Sequence, residues 1–124
     1  MKKILIADDN TSIRKSLEFI LKRSNYAIIE AVNGQEALEK TKSDLPDLII
    51  MDFKMPILNG WEAAKLIKSI DSLKGIPIIG YTGYASKEHI MEGMNAGCNE
   101  IIKKPIDLES MKKKVAAYLD SSEA

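Results

Sequence analysis

Five short apolar runs punctuate the chain at fairly even spacing: Ile4-Leu5-Ile6-Ala7, Ala27-Ile28-Ile29, Leu48-Ile49-Ile50-Met51, Ile76-Pro77-Ile78-Ile79 and Ile101-Ile102. Runs of this length read as buried strands. The segments between them are longer, and their apolar residues recur at helical spacing, as in Ile13, Leu17, Ile20 and Leu21, or Leu108, Met111, Val115 and Leu119. Strand and helix therefore alternate along the whole chain. Such alternation needs right-handed crossovers, which gives an α/β fold with a parallel sheet covered by helices on both faces.

Local signals mark where the helices begin. Asn33 with Glu36 and Asn59 with Glu62 each set a capping side chain three residues before a glutamate that can reach back, and Ser86 and Asp107 are further expected caps. Gly75-Ile76-Pro77 punctuates the entry to the fourth strand, and Pro56 to Gly60 forms a loop after the third. The polar stretch from Asp120 to Ala124 is expected to fray. Without a repeat, a linker or a change in composition, residues 1–124 read as one domain.

Composition narrows the class of protein. A globule of 124 residues hides roughly two-thirds of the surface of its unfolded chain, enough for one core. Apolar residues make up 45% and charged residues 29%, the balance of a chain that folds unaided. Eighteen basic residues match eighteen acidic ones, so no net field draws the molecule to nucleic acid or to an anionic membrane. The lone Cys98 and lone His89 offer neither an internal disulfide nor zinc spacing. No apolar stretch has the length of a secretion signal or of a spanning helix, and the expectation is a cytoplasmic, membrane-free protein.

The chemistry is expected beyond the carboxyl ends of the strands, where open parallel sheets build their sites. The first strand ends in Asp8-Asp9, the third in Asp52, the fourth in Thr82 and the fifth in Lys103-Lys104-Pro105. If the first and third strands are neighbours, three carboxylates converge, and such crowding needs a cation, a proton or open solvent to relieve it. Oxygen ligands with an open position suit magnesium better than calcium, which takes a fuller oxygen cage. A carboxylate can attack phosphorus while a metal, an ammonium and a hydroxyl stabilise the phosphoryl oxygens.

Those fragments, Ile4 to Asn10, Asp47 to Pro56 with Asn59-Gly60, then Thr82 and Lys104-Pro105, stand in an order that resembles the receiver domains of bacterial two-component response regulators over essentially the whole length. The resemblance implies a flavodoxin-like, doubly wound sheet in the order 2-1-3-4-5. It implies that Asp52 accepts a phosphoryl group from a sensor histidine kinase or a histidine phosphotransfer protein, with Mg2+ on Asp9, Asp52 and the backbone carbonyl of Lys54, and Asp8 acting through water. Lys104 would pair with the phosphoryl group, Thr82 and the Gly83 amide would hydrogen-bond it, and the bond before Pro105 would be cis. A changed surface on the fourth helix, fifth strand and fifth helix would then meet a downstream protein, the chain being a monomer or a weak phosphorylation-dependent dimer. The family commonly carries an aromatic residue three positions before the lysine; here it is Ile101. Lys54 and Tyr84 occupy the positions where the family varies its dephosphorylation rate.

Plainer readings stand beside these. Without the aromatic at position 101, a phosphorylation-independent docking module is the alternative, and a receiver segment of a larger regulator or hybrid kinase is another, which the Met1 start and short tail oppose. His89 and Lys103 are expected at the surface, Lys112-Lys113-Lys114 on a hydrated helix face, Met91 and Met94 in packing contacts, and Cys98 as a small buried residue. Trp61 can pack or anchor a partner. Phosphate-loop and dinucleotide glycine motifs are absent, and the segment from Asp8 lacks the glycine of a calcium loop at its sixth place.

Overall fold

The structure is a computed structural model, and it describes residues 1–83 and 87–120. The elements are β1 (Lys3–Ala7), α1 (Thr11–Lys22), β2 (Ala27–Ala31), α2 (Gly34–Asp44), β3 (Leu48–Asp52), α3 (Gly60–Lys68), β4 (Ile78–Thr82), α4 (Lys87–Asn95), β5 (Glu100–Lys103) and α5 (Leu108–Leu119). The five strands are all parallel, in the order β2-β1-β3-β4-β5. Chain order and sheet order diverge at β1, because the chain first adds β2 on one side and then crosses back to place β3 on the other.

Alternation of side chains along the strands splits the interior into two layers. Ile4, Ile6, Leu48, Ile50 and Ile79 point toward α1 and α5, where Leu17, Leu21, Met111, Val115 and Leu119 meet them. Leu5, Ala7, Ile49, Met51 and Ile78 point the other way, toward Ala37 and Leu38 of α2 and Ala63, Ala64 and Ile67 of α3. The central strands are apolar at successive positions because both faces are covered. Each large aliphatic side chain hidden in this way contributes about 1.5–3 kcal/mol.

Local chemistry sets the boundaries. Asn59 caps α3 in a reciprocal box, accepting from the Glu62 N–H at 2.9 Å while the Glu62 carboxylate accepts from the Asn59 N–H at 3.3 Å. Asn33 accepts from the Glu36 N–H at 2.7 Å, but the Glu36 carboxylate accepts from Val32 rather than from Asn33, so only half of the expected box forms at α2. Asp107 caps α5. Asn10 also caps α1, through a 3.0 Å bond from the Ile13 N–H, although no glutamate at the third position marks it. Ser86 and Tyr84 lie outside the described residues, as do positions 121–124 of the polar tail.

The fourth strand is displaced from its expected position. It begins at Ile78 rather than Ile76 and continues through Gly80 and Tyr81 to Thr82. Pro77 has no N–H to give the ladder and contributes only its carbonyl, to the Ile49 N–H, while the Ile76 N–H closes a turn onto Leu73. β2 likewise runs two residues past Ile29, to Ala31. Met91 and Met94 do not pack as expected: they are 54% and 49% exposed, beside the exposed Ile90. Among the described residues of α4, Gly93 is the buried one, and a methyl group there would stand 2.4 Å from the Phe53 ring and 2.6 Å from the Ile101 terminal methyl.

Cys98 is buried, and burial pushes its thiol up to about 12. Lys103 is exposed, as are Lys112 and Lys113, whereas Lys114 pairs with Glu100. Among the described residues no helix is long and apolar enough to cross a membrane. Gly60 opens α3 directly against the end of β3, so a methyl there would lie 2.2 Å from the Asp52 carbonyl oxygen. Backbone cannot yield as a side chain can, and Gly60→Ala should lower unfolding stability by about 1–3 kcal/mol. Gly75→Ala, where nothing lies within 4 Å, should leave the denaturant midpoint nearly unchanged in the same experiment.

Candidate functional site

Strand register decides which polar side chains meet. Ala7 of β1 lies opposite Met51 of β3, so the next residues, Asp8 and Asp52, emerge side by side at the carboxyl edge of the sheet. Asp52 in turn pairs with Tyr81 of β4, and Thr82 with Lys103 of β5. Because side chains alternate, Asp52 and Tyr81 share the face that carries Ile50 and Ile79, while Thr82 and Phe53 belong to the opposite one.

Asp8, Asp9 and Asp52 can each offer an oxygen such that all three lie within 4.8 Å of one another. Asp8 is wholly buried and Asp52 only 3% exposed, whereas Asp9 faces solvent. Asp52 accepts from the Lys104 ammonium at 3.2 Å on Oδ2 and from the Lys54 N–H at 3.2 Å on Oδ1. Asp9, Asp52, Lys54, Gly83 and Lys104 line an open cleft of about 300 Å³. Lys104 is held from behind by its own N–H on the Thr82 carbonyl at 2.9 Å, and the Lys104–Pro105 peptide bond is cis.

Positive charge is in short supply here. Burial, and then the charge of Asp8, push the Asp52 carboxyl up to about 6, even though Lys104 and the Lys54 N–H pull the other way. The donor set is oxygen only, one side is open, and the negative charge exceeds what Lys104 neutralises. These features fit a hard divalent cation, with magnesium favoured by the small number of protein ligands.

Asp8 is fixed from several sides. Its Oδ1 accepts from the Asn10 N–H at 2.8 Å, and its Oδ2 accepts from the buried Tyr81 hydroxyl at 2.6 Å. Its carbonyl accepts from Arg14 at 2.8 Å, and Arg14 is itself anchored by Glu30 at 2.8 Å. Hydrogen bonds from Lys15 and Arg14 hold the Glu30 carboxyl down to about 2, against the opposing effect of burial. Burial and the neighbouring Asp8 charge push the Tyr81 phenol far above its ordinary range, so it stays protonated and donates.

Thr82 is brought to the same edge but does not line the acidic cleft. It is 2% exposed and lines an adjoining cavity with Phe53, Trp61 and His89. The rings there meet edge to face, Phe53 to Trp61 at 5.8 Å and Trp61 to His89 at 6.2 Å, so His89 is half-buried against an aromatic rather than a plain surface residue, and Trp61 packs. Ile101 is half-buried beside Phe53 and Gly93. Tyr81, Asn10 and Arg14 were not legible as part of the site. Extending the period-two pattern of β4 to Thr82 would have put Tyr81 on the Asp52 face.

Comparison with known proteins agrees with this geometry. The family model of the response regulator receiver domain matches residues 4–116. Polar-differentiation response regulator DivK of Brucella anthropi is 36% identical over 121 residues, covering 95% of this chain and 96% of its own. The CAI-1 autoinducer sensor kinase/phosphatase CqsS of Vibrio cholerae is 39% identical over 119 residues, of which this chain spans only 17% of the kinase's length. Among solved structures, chemotaxis response regulator CheY4 of Vibrio cholerae superposes with a TM-score of 0.89 at 33% identity, covering 96% of this chain and 99% of that one.

The charge crowding has a measurable consequence. A carboxyl whose folded value lies above its unfolded one binds extra protons in the folded state, so its contribution to stability falls as pH rises from 3.8 through about 6. Without divalent ions at pH 7, Asp52→Asn should therefore stabilise the protein, on the order of 2 kcal/mol. Denaturant unfolding at pH 7 and pH 4 checks this, because the gain should shrink at the lower pH.

Proposed function

The chain belongs to the response regulator receiver domain family of two-component signalling, and from that premise we propose that residues 1–124 form a single receiver switched by phosphorylation of Asp52. Receivers are signalling switches rather than conventional enzymes, and they work with histidine kinases and downstream targets. The observation that carries the assignment of Asp52 is its position: buried at the end of β3, within 3.2 Å of Lys104, and sharing one small volume with Asp8 and Asp9.

In this reading a sensor histidine kinase or a histidine phosphotransfer protein presents a phosphohistidine at the open side of the cleft. An Asp52 oxygen attacks phosphorus, the nitrogen–phosphorus bond breaks, and an acyl phosphate remains on Asp52. Asp9, Asp52 and the Lys54 carbonyl would hold Mg2+, with Asp8 acting through water, and the bound ion would supply charge neutralisation for the phosphoryl oxygens. Lys104 follows the transferred charge from the carboxylate to the phosphoryl group, and the Gly83 N–H donates to it.

Thr82 turns out of its cavity to hydrogen-bond the phosphoryl group, vacating space beside Phe53 and Ile101. Ile101 answers with a smaller rotamer change than an aromatic ring would make. Two packings of α4, β5 and α5 are biased in this way, and a downstream protein distinguishes them. The exposed Ile90, Met91 and Met94 of α4 offer such a partner an adaptable apolar surface.

Incubated with Mg2+ and a small phosphodonor such as acetyl phosphate, the protein should gain one phosphoryl mass by intact mass spectrometry. Asp52→Asn should gain none, and an undiminished gain would refute Asp52 as acceptor. Mg2+ alone at one hundred times its dissociation constant should stabilise the fold by about 2.7 kcal/mol. The corresponding rise in Tm, read by thermal denaturation, should vanish in Asp9→Ala.

A further inference from the structure

Tyr81 takes no part in the transfer just described, yet it contacts two of the site's side chains. Its ring is wholly buried among the α1/α5 core residues. Its hydroxyl reaches Asp8 Oδ2 at 2.6 Å, and the Lys104 ammonium lies 5.1 Å from its ring centroid. One side chain thus touches both the buried acid of the cleft and the cation that pairs with Asp52. We propose that Tyr81 is a positioning residue that pins Asp8 away from direct coordination and so tunes the site toward magnesium and against calcium. The inference rests on the reading of the acidic cleft as a divalent-cation site.

The argument is one of direction and of ligand number. A carboxylate held by the Asn10 N–H on one oxygen and by the Tyr81 hydroxyl on the other has lone pairs left, but it cannot turn freely to meet an ion. Removing the hydroxyl leaves Oδ2 of a fully buried carboxylate without that donor, and an ion in the cleft becomes its best partner. Magnesium keeps tight octahedral geometry with several waters and gains little from another protein oxygen, whereas calcium takes six to eight oxygens and gains more. A role confined to filling the core would not discriminate between the two ions.

Titration calorimetry with MgCl2 and with CaCl2, on metal-free wild type, Tyr81→Phe, Asp8→Asn and the double variant, tests this. In Tyr81→Phe the Ca2+ dissociation constant should fall about tenfold and the Mg2+ constant no more than about threefold, as expected if the freed oxygen joins the larger ion's cage. In the Asp8→Asn background the same substitution should leave the ratio of the two constants unchanged. A ratio within about twofold of wild type in folded Tyr81→Phe, both ions bound more weakly, or the same shift persisting without the Asp8 carboxylate would each overturn the proposal.

Circular dichroism checks folding, and if Tyr81→Phe does not fold, Tyr81→Met removes the same hydroxyl and must give the same Asp8-dependent shift. Phosphodonor labelling of the wild type reads the switch function separately. A wild type that labels on Asp52 beside an unchanged ion ratio overturns the Tyr81 role alone, whereas a shifted ratio with no labelling overturns the switch alone. A wild type that binds neither ion overturns the Tyr81 proposal.

Discussion

Mutual repulsion among three carboxylates, two of them removed from water, is the constraint around which this molecule is arranged. Asp8 and Asp52 sit at the ends of adjacent central strands because the sheet order brings β1 beside β3. Left alone, such a group would splay into solvent or take up protons. Here Asp8 and Asp52 cannot splay, because Tyr81, Asn10, Lys54 and Lys104 each fasten one of their oxygens. Burial, and then the neighbouring Asp8 charge, hold the Asp52 carboxyl above its ordinary range. Any positive charge brought beside these carboxylates would offset their repulsion.

The apolar layers supply the rigidity that makes this possible. Side chains of β1 and β3 are buried on both sides of the sheet, so neither strand can slip by one residue without exposing its core face. Gly60 fixes the loop after β3 by lying directly on the Asp52 backbone, and its N–H donates to the Phe53 carbonyl at 2.9 Å. Gly93 lets α4 approach the Phe53 ring. Phe53, the residue after Asp52, thus reaches the glycine of α4, with Ile101 of β5 beside it where an aromatic would be larger.

Much of this was legible in the residues. The apolar runs and the helical spacing between them carry the alternation, and the acidic strand ends mark the cleft. Register was not legible, because pairing between distant strands leaves no local trace. That is why Tyr81 escaped notice: Pro77 moved the start of β4 forward, and the tyrosine fell beyond the apolar run that had defined the strand. Met91 and Met94 misled for a different reason. Hydrophobic composition suggested packing, but α4 turns its glycine, not its methionines, toward the sheet. Asn10 was hidden by the missing glutamate at the third helical position.

Consecutive residues of a strand point to opposite faces, and this chain uses that fact twice at the same edge. Asp52 and Tyr81 look toward the layer of α1 and α5, while Phe53 and Thr82 look toward the other. The sheet is thus a partition, with the acidic chemistry in one room and the aromatic cluster of Phe53, Trp61 and His89 next door. The acidic cleft opens beside Asn10 and Ile13 at the start of α1 and the aromatic recess beside Trp61 and His89, so a molecule seated over α1 would leave the second recess uncovered.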